Sequence, residues 1–106
     1  MNENLALTEA TYYILIALRK GQHGYGIMQE VEDLSKGRVK LAAGTLYGAL
    51  SNLTSKKWIK KLPMDEDSRK KEYVLTDLGL DVLKKEIERL EELLENGKRF
   101  IGEDHE

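Results

Sequence analysis

Five apolar residues near the carboxy-terminal end, Leu80, Leu83, Ile87, Leu90 and Leu94, follow one another at intervals of three, four, three and four. That spacing is the a/d seam of a coiled coil, and it demands a long helix with one apolar stripe. Thr76 is placed to cap such a helix, which the pattern carries from about Asp77 to Asn96 with Gly97 as its stop. A chain of 106 residues has no other segment long enough to cover the seam. Burying such side chains at roughly 1.5–3 kcal/mol each would stabilise association even after ordering costs. The expected state is a homodimer that pairs its last helices, the alternative being a stripe that packs only on its own domain.

At this length the chain makes one domain, or a small domain with an appended helix, and its own core is modest. The absence of Cys removes disulfides and thiolate chemistry and suits a reducing cytosol, and the single Pro leaves most of the chain free to be helical. The amino terminus, MNENLALTEATYY, carries no basic leader or small-residue cleavage site, and no apolar run approaches the roughly 20 residues that span a bilayer. A soluble, cytoplasmic protein with no membrane partner is expected. General acid–base catalysis needs a sheltered pair of groups, whereas Asp65, Glu66 and Asp67 fall in a polar turn. His23 and His105 stand far apart and supply no three- or four-ligand metal set, His23 reading instead as a loop or capping residue. The expectation is of a protein that is not an enzyme and holds no metal or cofactor.

The formal charge of −2 hides a division. From Lys36 to Lys71 there are ten Lys or Arg against three acids, whereas from Thr76 to Glu106 there are five basic residues against ten acids. A basic module is joined to an acidic one, and only the first suits a phosphate backbone. Within it, Lys40 to Lys61 contains no acidic residue at all.

Local signals fill in the basic module. Thr8 caps a first helix that reaches about Lys20, with Glu9 in its first turn and Leu7 able to staple onto Tyr12. The centre of that helix, Tyr12 to Leu18, is apolar all round and so is covered from two sides. Gly24 and Gly26 flank Tyr25 at the start of a second helix whose buried face is Ile27, Met28, Val31 and Leu34, and Arg38-Val39-Lys40 alternates as a very short strand would. Gly44 gives the third helix a permissive entry with Thr45 helping to cap it, and Leu46, Leu50 and Leu53 bury one side. Thr45, Gly48, Ala49 and Asn52 then point outward, small or polar enough to approach base edges in a major groove. Trp58 to Leu62 and Lys71 to Leu75 read as two strands joined by the polar loop Pro63 to Lys70. The fold class is mainly α with a two-stranded β-wing. A winged helix-turn-helix occupies residues 1–75, and a carboxy-terminal dimerisation helix with an acidic tail occupies residues 76–106.

At this point HGYG (His23 to Gly26), AAGTLYGALSNL (Ala42 to Leu53), Trp58-Ile59 and RKKEYVLTDLG (Arg69 to Gly79) resemble the PadR-like transcriptional regulators, specifically the short members with a single carboxy-terminal helix. The resemblance extends from about Leu5 to Leu94. It implies a homodimeric DNA-binding repressor in which the first and last helices build the dimer interface. Tyr25 matches the family's tyrosine near the start of the second helix, Gly44 to Tyr47 match its G-T-L-Y recognition-helix signature, and Arg69 to Lys71 with Tyr73 match its wing. Ala43 stands where the family usually has Pro, and Gly48 where a Pro often follows the Tyr, departures that bear on base preference more than on fold.

On this reading Asn52 is the candidate for a bidentate contact to adenine, among Thr45, Gly48 and Ala49. Tyr25 and Tyr47 position phosphates through their hydroxyls, with Lys56, Lys57, Arg69, Lys70 and Lys71 supplying charge. Tyr47 has a second reading as a core aromatic beside Leu46 and Leu50. Lys60 and Lys61 alternate along a strand, so one of them faces DNA. The partners expected are a double-stranded DNA operator and a second copy of the chain. The resemblance also allows a small-molecule effector at the dimer interface, which here would borrow Tyr12 or Tyr13 because the last helix has no Trp or Tyr. The competing class is a winged-helix protein-interaction module without DNA, which a lysine-rich, small-residue face disfavours.

Overall fold

Thr8 opens the first helix as its residue type predicts, its Oγ1 accepting from the Thr11 backbone N–H at 3.1 Å. In the computed structural model, which describes residues 6–64 and 70–102, α1 then runs Glu9–Ala17. It ends three residues before the expected Lys20, because Leu18 already forms the cap. Ile14, Leu15, Ala17 and Leu18 are buried, while Tyr12, Tyr13 and Ile16 are half-covered and pack on the edge of the core.

Directly after α1 comes an element that the sequence pattern did not announce. Gln22–His23 form β1, which pairs antiparallel with β3 (Glu72–Leu75) through Gln22 opposite Tyr73 and His23 opposite Glu72. β2 (Ile59–Lys61) pairs with the other edge of β3, so the expected hairpin is present within a three-stranded antiparallel sheet of order β1-β3-β2. The short strand expected at Arg38 to Lys40 is not formed. That segment is tied down locally instead: buried Ser35 accepts from the Val39 backbone N–H at 2.9 Å and its hydroxyl lies within hydrogen-bond reach of the Glu32 and Val39 carbonyls.

α2 (Gly24–Leu34) begins with His23 as its cap, Nδ1 accepting from the Gly26 backbone N–H at 3.3 Å. Ile27 and Val31 are buried and Met28 half-buried, but Leu34, expected on the inner face, is exposed. α3 (Ala43–Ser55) starts from Ala42 with no side-chain cap, so Thr45 lies inside the helix and does not cap it. Leu46, Leu50 and Leu53 join Ile14, Leu15, Leu18, Ile27, Val31, Ile59, Tyr73 and Leu83 in one core.

Thr76 caps α4 (Asp77–Phe100), its Oγ1 accepting from Gly79 N–H at 3.0 Å. The helix passes through Gly97, the expected stop, for three further residues. Gly79 and Leu83 are buried against the domain, whereas every residue from Glu91 to Phe100 is exposed. The last turns of α4 therefore stand clear of the domain that its first turns anchor.

Candidate nucleic-acid interface

The core line Leu46, Leu50 and Leu53 sets the direction in which α3 presents its remaining residues. At about 100° per residue, the positions opposite that line are Gly44, Gly48, Ser51 and Ser55, all exposed. Thr45 and Asn52 are also exposed, displaced toward one flank, and a Cβ added at Gly44 or Gly48 would meet nothing within 4 Å. Ala49, expected to point outward with them, is half-buried and packs on the core, because it lies on the same side as Leu53. Ser51 and Ser55 were not singled out from sequence. Their phase relative to the buried leucines was the available signal.

The two flanks of α3 differ. On one, Asn52, Ala49 and Lys56 share a depression of about 330 Å³ with Leu7, Thr8, Thr11 and Trp58. There the Lys56 ammonium sits over the Trp58 ring, 4.7 Å from its centroid, a cation–π contact that fixes the side chain along the helix exit. On the other flank, Tyr47 faces the amino-terminal end of α2 and the base of the wing. His23, Gly24, Tyr25, Tyr47, Lys70 and Lys71 line a groove of about 520 Å³. Tyr25 is 66% exposed and Tyr47 46%, which removes the core-aromatic reading of Tyr47. Sequence spacing gave no means of bringing Tyr25, Tyr47 and the wing lysines into one groove; the β1–β3 pairing does so by holding residues 22–23 against residues 72–73.

Lys57 closes α3 in the left-handed region, at φ 64°. The Trp58 N–H donates to the Leu53 carbonyl at 3.1 Å and the Lys57 N–H to the Thr54 carbonyl at 2.9 Å, so Lys57 occupies the place glycine usually takes in a Schellman turn. Its side chain is exposed, as are those of Lys60, Lys61 and Lys71, so the strand's alternation does not hide either Lys60 or Lys61. Arg69 lies outside the described residues, as do the acidic residues of the wing tip. Among the described residues no cluster of three His, Cys, Asp or Glu side chains could hold a metal ion, and no helix is long and apolar enough to cross a membrane.

The seam on α4 is divided. Leu83, 6% exposed, is consumed by the protein's own core, whereas Leu80, Ile87, Leu90 and Leu94 remain exposed together with Leu93, Phe100 and Ile101. Glu86, 4% exposed, accepts from the Leu7 backbone N–H at 3.1 Å and from Arg89 at 2.7 and 2.6 Å. The Arg89 guanidinium holds the Glu86 carboxyl below its ordinary value against the opposing effect of burial, with the Leu7 N–H adding to it. Tyr12 and Tyr13, with ring centroids 5.7 Å apart, line a hollow of about 300 Å³ with Leu7, Thr8, Glu9, Glu86 and Leu90.

Three helices, a sheet whose hairpin stands beside the third, and a long terminal helix define a winged helix-turn-helix protein. The chain belongs to the transcriptional regulator PadR-like family, whose model matches residues 14–85. A PadR family transcription regulator from Clostridium difficile is similar over 90% of this chain and 100% of that one, at 27% identity and a TM-score of 0.75. Bacillus subtilis PadR, solved in complex with operator DNA, is 27% identical with a TM-score of 0.61 over 71% of this chain and 44% of that one. In sequence the chain is 37% identical over 79 residues to an uncharacterised 37.1 kDa protein in transposon TN4556 of Streptomyces fradiae. The match takes in 74% of this chain but only 22% of that curated relative.

Proposed function

We propose that the chain is a sequence-specific DNA-binding repressor acting as a homodimer, with residues 1–75 as the DNA-binding unit and residues 76–106 as the dimerisation element. The observation that carries the reading is the meeting of an acid-free α3 with a groove lined by Tyr25, Tyr47, Lys70 and Lys71. Anionic backbone fits such a groove, and the small outward residues of α3 let base edges come close. The likeness to a relative solved with operator DNA supports it. In this reading Thr45, Gly48 and Asn52 meet base edges from the exposed side of α3, while Lys56, Lys57, Arg69, Lys70 and Lys71 position phosphates. No catalytic step is part of the function.

The exposed Leu80, Ile87, Leu90 and Leu94 support the dimer reading: a second α4 would cover them while Leu83 braces the helix from inside. In this reading a small aromatic or cationic effector, if the protein takes one, would use the hollow beside Tyr12 and Tyr13.

Binding titrations on genomic fragments over a series of salt concentrations, with light scattering alongside, test the reading. Log affinity should fall with log salt at a slope of roughly −0.9 for each phosphate neutralised. Replacing Ile87 and Leu90 together with Asp should dissociate the dimer and weaken DNA binding at once, since two half-sites need two recognition helices. Salt-independent binding, no binding to any fragment at low salt, or an intact dimer in the double variant would refute it.

A further inference from the structure

Gly24 opens α2 with a helical backbone that any residue adopts, since Gly37 is the only described glycine with positive φ. Backbone freedom therefore does not account for it. What the missing side chain supplies is space. A Cβ built on Gly24 would collide with the Tyr47 hydroxyl oxygen and stand 3.0 Å from Tyr47 Cζ and 3.6 Å from Leu46 Cδ2. Gly24 is buried, and the tyrosine that fills its space is itself 46% exposed.

We propose that Gly24 is a positioning residue: it lets the Tyr47 phenol lie across the amino-terminal end of α2, so that the hydroxyl enters the groove with Tyr25, Lys70 and Lys71 and meets a backbone phosphate there. The inference rests on the DNA-binding reading of that groove. A methyl group at residue 24 swings the phenol out, because the atoms it collides with are the far end of the Tyr47 side chain, whereas Leu46 Cδ2 at 3.6 Å is an ordinary contact that leaves the core in place. Gly26 is a matched control two residues along. The nearest atoms a Cβ there would meet belong to the Gln22 side chain, which does not line the groove and moves aside by giving up a 3.3 Å bond to Glu30.

The test measures operator affinity and salt slope for Gly24→Ala, Gly26→Ala, Tyr47→Phe and the Gly24→Ala/Tyr47→Phe double variant, at a temperature where melts show each to be folded. Gly24→Ala and Tyr47→Phe should each weaken binding about tenfold, the scale of one hydrogen bond to a charged group. The double variant should be no weaker than Tyr47→Phe, because both remove the same contact. Neither should change the salt slope, since a neutral hydroxyl releases no counterion, and Gly26→Ala should bind as the unaltered protein does. Full affinity in Tyr47→Phe, full affinity in Gly24→Ala, or equal losses in Gly24→Ala and Gly26→Ala would each overturn the role of Gly24 while leaving DNA binding in place. An unaltered protein that binds no duplex would instead overturn the function itself. A nuclear Overhauser contact between the Tyr47 ring and the Gly24 Hα protons in DNA-free protein is expected whatever the stability of the variants, and its absence would refute the placement.

Discussion

Replacing Gly79 with Ala probes the joint that fixes α4 to the rest of the protein, and the sign of the effect is decided by competition between two terms. Alanine is favoured over glycine in a helix by about 1 kcal/mol. Against this, the added methyl would be driven into the Trp58 carbonyl oxygen and stand 2.9 Å from both the Trp58 carbonyl carbon and Leu75 Cδ1. Two of those atoms are backbone, so relief requires α4 itself to move. Movement strains the Thr76 N–H bond to the Trp58 carbonyl at 3.0 Å and the Thr76 hydroxyl bond to the Lys57 carbonyl at 2.7 Å. Overpacking costs roughly 1–3 kcal/mol and each weakened hydrogen bond about 1 kcal/mol, so Gly79→Ala should destabilise by about 2–4 kcal/mol net. Gly48→Ala is the counterpart: the site is helical and exposed with nothing within 4 Å, and the substitution should stabilise by up to about 1 kcal/mol. Urea unfolding followed by the fluorescence of Trp58, the single tryptophan, reads both at a fixed protomer concentration. A Gly79→Ala midpoint at or above that of the unaltered protein, or equal losses in the two variants, would refute the joint.

Two further substitutions separate stability from binding. Lys57→Gly should raise stability by about 0.5–1 kcal/mol, because glycine accepts the left-handed φ of 64° without a Cβ clash, and should make the salt dependence of DNA binding shallower by about one unit through loss of one phosphate contact. Glu86 sits below its ordinary carboxyl value in the folded state, so on acidification the unfolded chain takes up the proton first. Its contribution is complete above the ordinary value of 4.5 and is lost as the pH falls toward the lower folded value. Glu86→Gln should accordingly be less stable than the unaltered protein at neutral pH by about 1–3 kcal/mol, with the gap narrowing in thermal melts taken at acid pH.

The helices were legible because their signals are local. Thr8 and Thr76 cap as their residue types and following residues indicate, and Leu46, Leu50 and Leu53 bury one side of α3. Part of what escaped was set by partners distant in sequence. β1 is two residues long, too short to show a period, and exists because β3, some 50 residues later, offers a free edge. The outward face of α3 was misphased toward Ala49 by choosing residues for polarity and size, although the three buried leucines already point to Ser51 and Ser55. Gly97 looks like a stop by composition, yet a helix that continues to Phe100 with its carbonyls bonded has no reason to end there.

Division of the α4 seam would let one helix serve two purposes in the proposed dimer. Leu83 and Glu86 face the domain, Glu86 reaching Leu7 ahead of α1, while Thr76 and Gly79 press the first turn against the Lys57–Trp58 turn that ends α3. Those contacts tie the start of α4 directly to the end of α3. In the proposed dimer, then, the angle at which two α4 helices cross is transmitted through backbone contacts to the separation of the two α3 helices, and half-site spacing on DNA becomes a property of the α4 interface. An effector in the hollow beside Tyr12, Tyr13 and Leu90 would act on that same angle, since Leu90 lies on the exposed stripe and Glu86 on the braced one.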